Sequence, residues 1–249
     1  MIDIHTHVLP NIDDGAEDIS VSAELLRLAV NQGVKEIVFT PHYYGKNTVE
    51  EFIVQRNAAM DKIRDKLPSG MKARMGAEVL LTGVNDPTDE QLCSLAIEGT
   101  KCVLVEFPYA GKISQRLFDR LADFVSETGY SPIVAHIERY EEILQNPAIA
   151  SWLAKLGCFI QVNTSAFIDK RSRRFVFALL KHGLVHCVGT DAHDIGLRGY
   201  DYAEAENAIL KKGYVDEWTE IQWCMKRILA GEAVLKTYGQ VRKIGKFYF

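Results

Sequence analysis

The chain has 249 residues, 47% hydrophobic and 25% charged, with a formal net charge of −4 and a pI near 6.0. This profile fits a globular chain with a sizeable core, and the acidic balance gives no electrostatic reason to expect a nucleic-acid partner. The five cysteines (Cys93, Cys102, Cys158, Cys187, Cys224) are odd in number and widely spaced; they do not form a disulfide framework and point to a reducing cytoplasm, and no leader or apolar run of about 18 residues predicts a membrane span.

Residues 1–7 alternate Ile2 and Ile4 with Asp3 and His5, which predicts a short strand projecting His5 and His7 to one side. The run continues to Leu9, stops at Pro10 and enters a loop at 11–15. Helical spacing follows over 18–32, with Gly33 as its stop. A strand over 35–40 breaks at Pro41, and a helix is predicted over 49–67. Strand 72–81 carries Glu78, a short helix spans 89–97, and the apolar strand 101–107 carries Glu106. Helix 114–128 leads to strand 131–136, which ends in His136. The helical stretch 141–156 is interrupted by Pro147, and 158–164 is a sixth strand. Helix 172–182 and strand 185–190 precede Asp191-Ala192-His193, and helices over 202–212 and 217–229 follow. Residues 241–249 mix basic and aromatic side chains.

Seven apolar strands alternating with helices predict an α/β chain with a parallel sheet and right-handed crossovers. The length suits a closed, TIM-like (β/α) barrel slightly smaller than the eight-stranded form, with a doubly wound open sheet as the alternative. No linker or internal repeat divides residues 1–249, so one domain is expected.

The strand ends carry an unusual set of side chains. His5 and His7 close the first strand, with Asp14 in the next loop; His42, Glu78, Glu106 and His136 follow the next four, and Asp191 and His193 the seventh. In a parallel α/β architecture these ends share one rim, where active sites lie. Any one of them reads equally well as a cap or surface group, but nine do not. Four crowded carboxylates would take up protons unless cations neutralised them. Mixed imidazole and carboxylate donors suit Mn²⁺, Fe²⁺ or Zn²⁺ rather than a thiolate zinc site. His182 and His186 do not fit the pattern and read as structural.

Asp3-Ile4-His5-Thr6-His7, Asp13-Asp14-Gly15, Thr40-Pro41-His42, Gly76-Ala77-Glu78, Glu106-Phe107-Pro108, His136-Ile137-Glu138-Arg139 and Asp191-Ala192-His193 resemble, in order, the motifs of the PHP (polymerase and histidinol phosphatase) family. Within it the chain looks most like the bacterial tyrosine-protein phosphatases of capsular and exopolysaccharide operons, chiefly through Leu9-Pro10, Asp13-Asp14-Gly15-Ala16, Glu106-Phe107-Pro108, Glu138-Arg139 and the basic-aromatic tail. The resemblance implies a distorted seven-stranded barrel with three metals. His5, His7, Glu78 and Asp191 would hold the first; Glu78 would bridge to a second completed by Glu106 and His136; Asp14, His42 and His193 would hold the third. Two departures stand out: Ile137 replaces the proline expected after His136, which bears on the turn carrying Arg139, and Thr190 stands where serine is common.

The expected cofactor is two or three divalent ions, Mn²⁺ first, and the expected chemistry is in-line attack on phosphorus by metal-bound hydroxide. Arg139 and Arg198 are the guanidiniums nearest the rim in sequence and are candidates for holding the phosphoryl oxygens, surface salt bridges being the alternative. A tyrosine leaving group of pKa ~10 needs less protonation than an alkoxide, and no general acid is assigned. Tyr43, Tyr44, Phe107 and Tyr109 adjoin the ligands and either line the mouth or pack under the loops. No cysteine has an arginine six positions on, so a thiol-based phosphatase is excluded.

By resemblance, the substrate would be phosphotyrosine on a partner bacterial kinase with a Tyr-rich tail, in the cytoplasm, with room for a homo-oligomer. The alternatives are histidinol-phosphate phosphatase, another PHP phosphoesterase, or a non-catalytic phosphate-binding module. The tail over 241–249 would dock a partner, meet a membrane surface or cover the bottom of the barrel.

Overall fold

The computed structural model describes residues 1–109, 112–234 and 238–249. Its first strand, β1 (Ile2–Thr6), is buried along its whole length. The Asp18 side chain accepts from the Ser20 and Val21 amides and so starts α1 (Ile19–Asn31). The predicted second strand is β2 (Glu36–Phe39); beyond Pro41, which has no amide to give a ladder, the chain adds a further short strand, β3 (His42–Tyr43), where a loop was expected. A capping box of Thr48 and Glu51 opens α2 (Val49–Ile63), which ends four residues earlier than predicted in a 3₁₀ turn (Arg64–Lys66).

The third strand divides at the same level as the second, into β4 (Lys72–Met75) and β5 (Glu78–Leu80). β2 pairs with β4 and β3 with β5, so the two strands bend together. Then come α3 (Asp89–Ser94), β6 (Cys102–Glu106), α4 (Gln115–Thr128) and β7 (Ser131–Val134). Pro147 separates α5 (Glu141–Gln145) from α6 (Ala148–Leu156), as its sequence position predicts. β8 (Phe159–Asn163), α7 (Arg173–Lys181), β9 (Cys187–Gly189), α8 (Tyr202–Lys211) and α9 (Val215–Leu229) follow.

With β2 and β3 counted as one bent strand and β4 and β5 as another, each of the seven strands pairs in parallel with the next. The last returns to the first: the Asp191 amide donates to the His5 carbonyl at 2.9 Å, and the His7 amide to Ala192 at 3.0 Å. This closes a distorted seven-stranded barrel. The seam needs glycine at 189, where a Cβ would sit 2.5 Å from that of His5. Asp3 fastens the same seam, accepting from the Thr190 amide at 2.9 Å and its hydroxyl at 2.7 Å. Thr190 thus supplies the hydroxyl that serine would. Outside the seam, α9 buries Trp218, Ile221, Met225 and Ile228.

The tail passes the far end of α7, where the Gly239 amide donates to the His182 carbonyl at 2.8 Å. It then rises along α7 as an antiparallel ribbon of β10 (Lys243–Ile244) and β11 (Phe247–Tyr248). Tyr248 packs on Phe175, near the start of α7, with ring centroids 5.2 Å apart. Residues 243–248 therefore lie beside α5 and α7, while Val234 and Tyr238 ahead of them line a groove with Cys102, Ser131 and Phe159, where β6, β7 and β8 begin.

Candidate metal centre

All nine side chains singled out as ligands converge at the rim where strands end. His5, His7, Glu78 and Asp191 form one group whose donor atoms lie within 4.8 Å of one another, and all four are buried. His7, Asp14, His42 and His193 form a second such group, and His42, Glu78 and Glu106 a third. Glu78 joins the first and third. His136 is set against it, its Nε2 2.6 Å from Glu78 Oε1 and 3.8 Å from Glu106 Oε2. The geometry thus gives His42 a closer place beside Glu106 than the resemblance implied, while His136 approaches the pair through Glu78.

The backbone at two of these residues is unusual. His136 and Asp191 have φ of 31° and 54°, the left-handed region that few non-glycine residues enter. Strain of this kind collects at functional sites, where surrounding contacts enforce it. After His136 the chain makes a 3₁₀ turn (Ile137–Arg139) with the Ile137 side chain fully buried. Isoleucine in place of proline leaves this turn able to deliver Arg139, whose guanidinium lies 2.5 Å from Asp191 Oδ2. Arg198 reaches the same carboxylate at 3.4 Å and Asp14 at 3.2 Å. Its loop also exposes Ile195 and Leu197.

The electrostatics follow from burial and crowding. Burial acts to raise Glu78, but the charges of His5 and His136 outweigh it and hold the carboxyl well below its ordinary range. Asp191 is likewise held low against burial, by His5, His7 and Arg139. Burial opposes charge on His7 too, yet hydrogen bonds to Asp13, Asp191 and Glu78 push it well up. His193 goes the other way, to about 4, through burial and the neighbouring His7 charge.

The donor set fits divalent ions. His42 Nδ1 and His193 Nε2 are buried without a hydrogen-bond partner among the described residues. They nevertheless face carboxylate oxygens, His42 Nδ1 at 3.2 Å from Glu78 and 3.3 Å from Glu106, and His193 Nε2 at 3.4 Å from Asp14. Lone pairs that face carboxylates without hydrogen-bond geometry suit a shared cation. Imidazole and carboxylate donors together favour Mn²⁺, Fe²⁺ or Zn²⁺.

Several residues that serve this cluster are not evident in the sequence. Asp13 Oδ2 lies 2.7 Å from His7 Nδ1 and accepts the His42 amide at 3.0 Å. Gln161 contacts His5 Nδ1 at 3.3 Å and accepts the His136 amide at 2.6 Å. Asn163 donates to Asp191 Oδ2 at 3.0 Å. The available signal was Gln161 and Asn163, two apart in an otherwise apolar strand and so on the same face. His186 lies outside the cluster, its Nδ1 accepting the Ile160 amide at 2.8 Å, in keeping with a structural role.

The four mouth aromatics separate into two kinds. Phe107 and Tyr43 are core residues, 0% and 7% exposed, whereas Tyr44 and Tyr109 are 46% and 49% exposed. Tyr44 stacks on His42, its ring centroid 4.6 Å away, beside a cavity of about 410 Å³ lined by Asp14, His42, Lys46 and Phe52. The Tyr109 hydroxyl donates to Glu106 Oε2 at 2.9 Å and lies 3.2 Å from His136 Nε2. A groove of about 450 Å³ on the other side is lined by Arg139, Leu144, Ser165, Asp169 and Arg171.

Residues 1–226 match the family model for capsular polysaccharide synthesis, CpsB/CapC. The chain is 33% identical over 214 residues to the tyrosine-protein phosphatase YwqE of Bacillus subtilis, covering 82% of each. It is 29% identical over 226 residues to the tyrosine-protein phosphatase CpsB of Streptococcus pneumoniae, covering 85% of this chain and 90% of the relative. It also superposes with a TM-score of 0.83 and 27% identity, over 98% of this chain and 100% of the other, on a crystal structure from the pair YwqE of B. subtilis and CpsB of S. pneumoniae, described as unique metal-dependent tyrosine phosphatases.

Proposed function

The chain belongs to the CpsB/CapC family of capsular polysaccharide synthesis, and from that premise we propose that it is a metal-dependent protein-tyrosine phosphatase whose nine rim ligands hold two or three divalent ions, Mn²⁺ first among them. Its relatives over most of the chain are named tyrosine-protein phosphatases. The observation that carries the reading is the meeting of Arg139 and Arg198 on Asp191, inside a cluster of five imidazoles and four carboxylates. Fixed guanidiniums beside a divalent-ion donor set match a phosphoryl dianion.

When bound, divalent ions bring the pKa of water near neutrality and neutralise phosphoryl charge. The chain's own side chains do the rest. Arg139 and Arg198 bind the phosphoryl oxygens and orient phosphorus. Asp13 and Gln161 fix the ring orientations of His7 and His5. Tyr44 and Tyr109 line the mouth, where the exposed ring of Tyr44 offers a face on which a phenol can stack. The Tyr109 hydroxyl points into the cluster and is placed to donate to the departing phenolic oxygen.

The substrate proposed is phosphotyrosine in a protein, specifically the Tyr-rich tail of a bacterial tyrosine kinase that serves polysaccharide synthesis, met in the cytoplasm. Support comes from the family's link to capsule synthesis and from the half-exposed rings of Tyr44 and Tyr109 at the mouth. Among the described residues no helix is long and apolar enough to cross a membrane. The test is a two-substrate assay on chelator-stripped protein. Phosphotyrosine peptide should be hydrolysed only after Mn²⁺ is restored, and faster than histidinol phosphate. Preferential turnover of histidinol phosphate would overturn the substrate assignment.

A further inference from the structure

We propose that the C-terminal ribbon is a docking surface for an anionic lipid bilayer. Cross-strand partners of a two-stranded ribbon share a face, and Lys243 pairs with Tyr248 while Ile244 pairs with Phe247. Lys243 and Tyr248 turn inward: the Lys243 ammonium and the Tyr248 hydroxyl both donate to the Leu144 carbonyl, at 2.8 and 3.1 Å. The outward face is Arg242, Ile244, Phe247 and Phe249, with Phe249 and Arg242 exchanging backbone hydrogen bonds at 2.8 Å. Ile244, Phe247 and Phe249 are 70%, 63% and 57% exposed.

Two segments around the ribbon are cationic in a chain of net charge −4, while α5 beneath it brings the exposed Glu141 and the half-buried Glu142. Lys170 and Arg171 precede α7 and Arg173 and Arg174 open it; the ribbon packs on this helix through Phe175, and all four cations are exposed. With Arg242 and Lys246 they make six exposed cations; the acidic side chain within the two segments 168–174 and 241–249 is Asp169, 3.4 Å from Arg171.

Shape decides between occupants. The concave wall an acidic peptide needs lies in the neighbouring groove of Arg139, Leu144 and Arg171, whereas the ribbon itself carries its apolar residues outward. A bilayer interface can envelop such a projection, taking up the apolar side chains while its anionic headgroups meet the surrounding cations. Because the ribbon rests on Leu144, which lines the same groove as Arg139, docking would bring the catalytic rim close to the lipid surface and favour substrates tethered there.

The experiment is co-sedimentation of the full chain with vesicles of phosphatidylcholine alone or with about a third phosphatidylglycerol. Binding to the anionic vesicles should exceed binding to the neutral ones by at least about ten-fold and fall steeply with salt. The triple variant Ile244→Ser/Phe247→Ser/Phe249→Ser and the double variant Arg242→Glu/Lys246→Glu should each lose that binding by about ten-fold or more while keeping the wild-type thermal unfolding curve. Equal binding to neutral vesicles, no vesicle binding by the wild-type chain, or full binding by both variants would overturn the proposal. So would saturable capture of a glutamate-rich peptide by a chain that ignores the vesicles, which would assign the surface to a protein partner.

Discussion

Asp13 Oδ2 lies 2.7 Å from Nδ1 of His7, and the same oxygen accepts the His42 amide at 3.0 Å. One carboxylate therefore sets the orientation of one proposed ligand and the backbone of another. Burial acts to raise the Asp13 carboxyl, but the hydrogen bond to His7 and then the His7 charge outweigh it and hold it down at about 2, so it is ionised at neutral pH. Carboxylates behind metal-binding histidines typically affect metal affinity 10- to 100-fold. Asp13→Ala should accordingly weaken Mn²⁺ binding by about that factor, read by metal titration of chelator-stripped protein. Unchanged affinity would remove Asp13 from the site.

Asp201 gives a pH dependence outside the metal centre. Burial raises its carboxyl to about 6, and the hydrogen bond from the Thr164 hydroxyl only partly offsets this. In the unfolded chain the group titrates near the ordinary aspartate value of 3.8. Between the two values the folded state binds more protons, so this residue's contribution to stability falls as pH rises through that window and is level above it. A carboxylate with a depressed pKa would do the reverse. Asp201→Asn cannot ionise and still offers Thr164 a carbonyl oxygen. Thermal unfolding of metal-free protein should therefore show the variant gaining on the wild type from pH 4 to about pH 6.5, with no further gain beyond. A constant difference across the series would rule out the shifted carboxyl.

The ligand types were legible because a metal site demands particular donors, and His5, His7, Asp191 and His193 place them two apart at strand ends. The barrel was legible because strand and helix periods alternate along the whole chain. What escaped depends on neighbours distant in sequence. The break at residues 76–77 has a local mark in Gly76, but its alignment with the break at Pro41 comes from the pairing of β2 with β4 and of β3 with β5. Arg139 and Arg198 are 59 positions apart in sequence numbering yet meet on one carboxylate, which no local pattern encodes. Asp13 differs from Asp14 by one position, and only loop geometry decides which faces the other ligands and which supports His7. The aromatics at the mouth were visible as a set, but separating Phe107 from Tyr109 required knowing which way the loop after β6 turns.

Tyr109 is the sharpest of these cases, because it is proposed as a hydrogen-bond donor to the leaving oxygen, for which the sequence offered no candidate. Its ring is half exposed at the mouth and lies nearly parallel to that of Tyr140, at 17° and 6.0 Å, while its hydroxyl reaches Glu106 at 2.9 Å. Burial and the charges of Glu106 and Glu78 push the phenol's pKa up, so it remains a donor at neutral pH. A donor fixed there matters most when the leaving oxygen carries much charge. Phosphotyrosine expels a phenolate of pKa ~10, whereas p-nitrophenyl phosphate expels a far weaker base. Tyr109→Phe keeps the ring and its packing and removes only the hydroxyl. It should lower kcat on phosphotyrosine peptide about 10- to 100-fold, the worth of one hydrogen bond to a charged group. The loss on p-nitrophenyl phosphate should be much smaller, because less charge awaits the donor. KM for the peptide should hold, since the hydroxyl acts as the bond breaks rather than in the bound ground state. Equal losses on the two substrates would place the hydroxyl on a non-bridging oxygen or on Glu106 alone, and a loss confined to KM would reduce Tyr109 to a wall of the mouth.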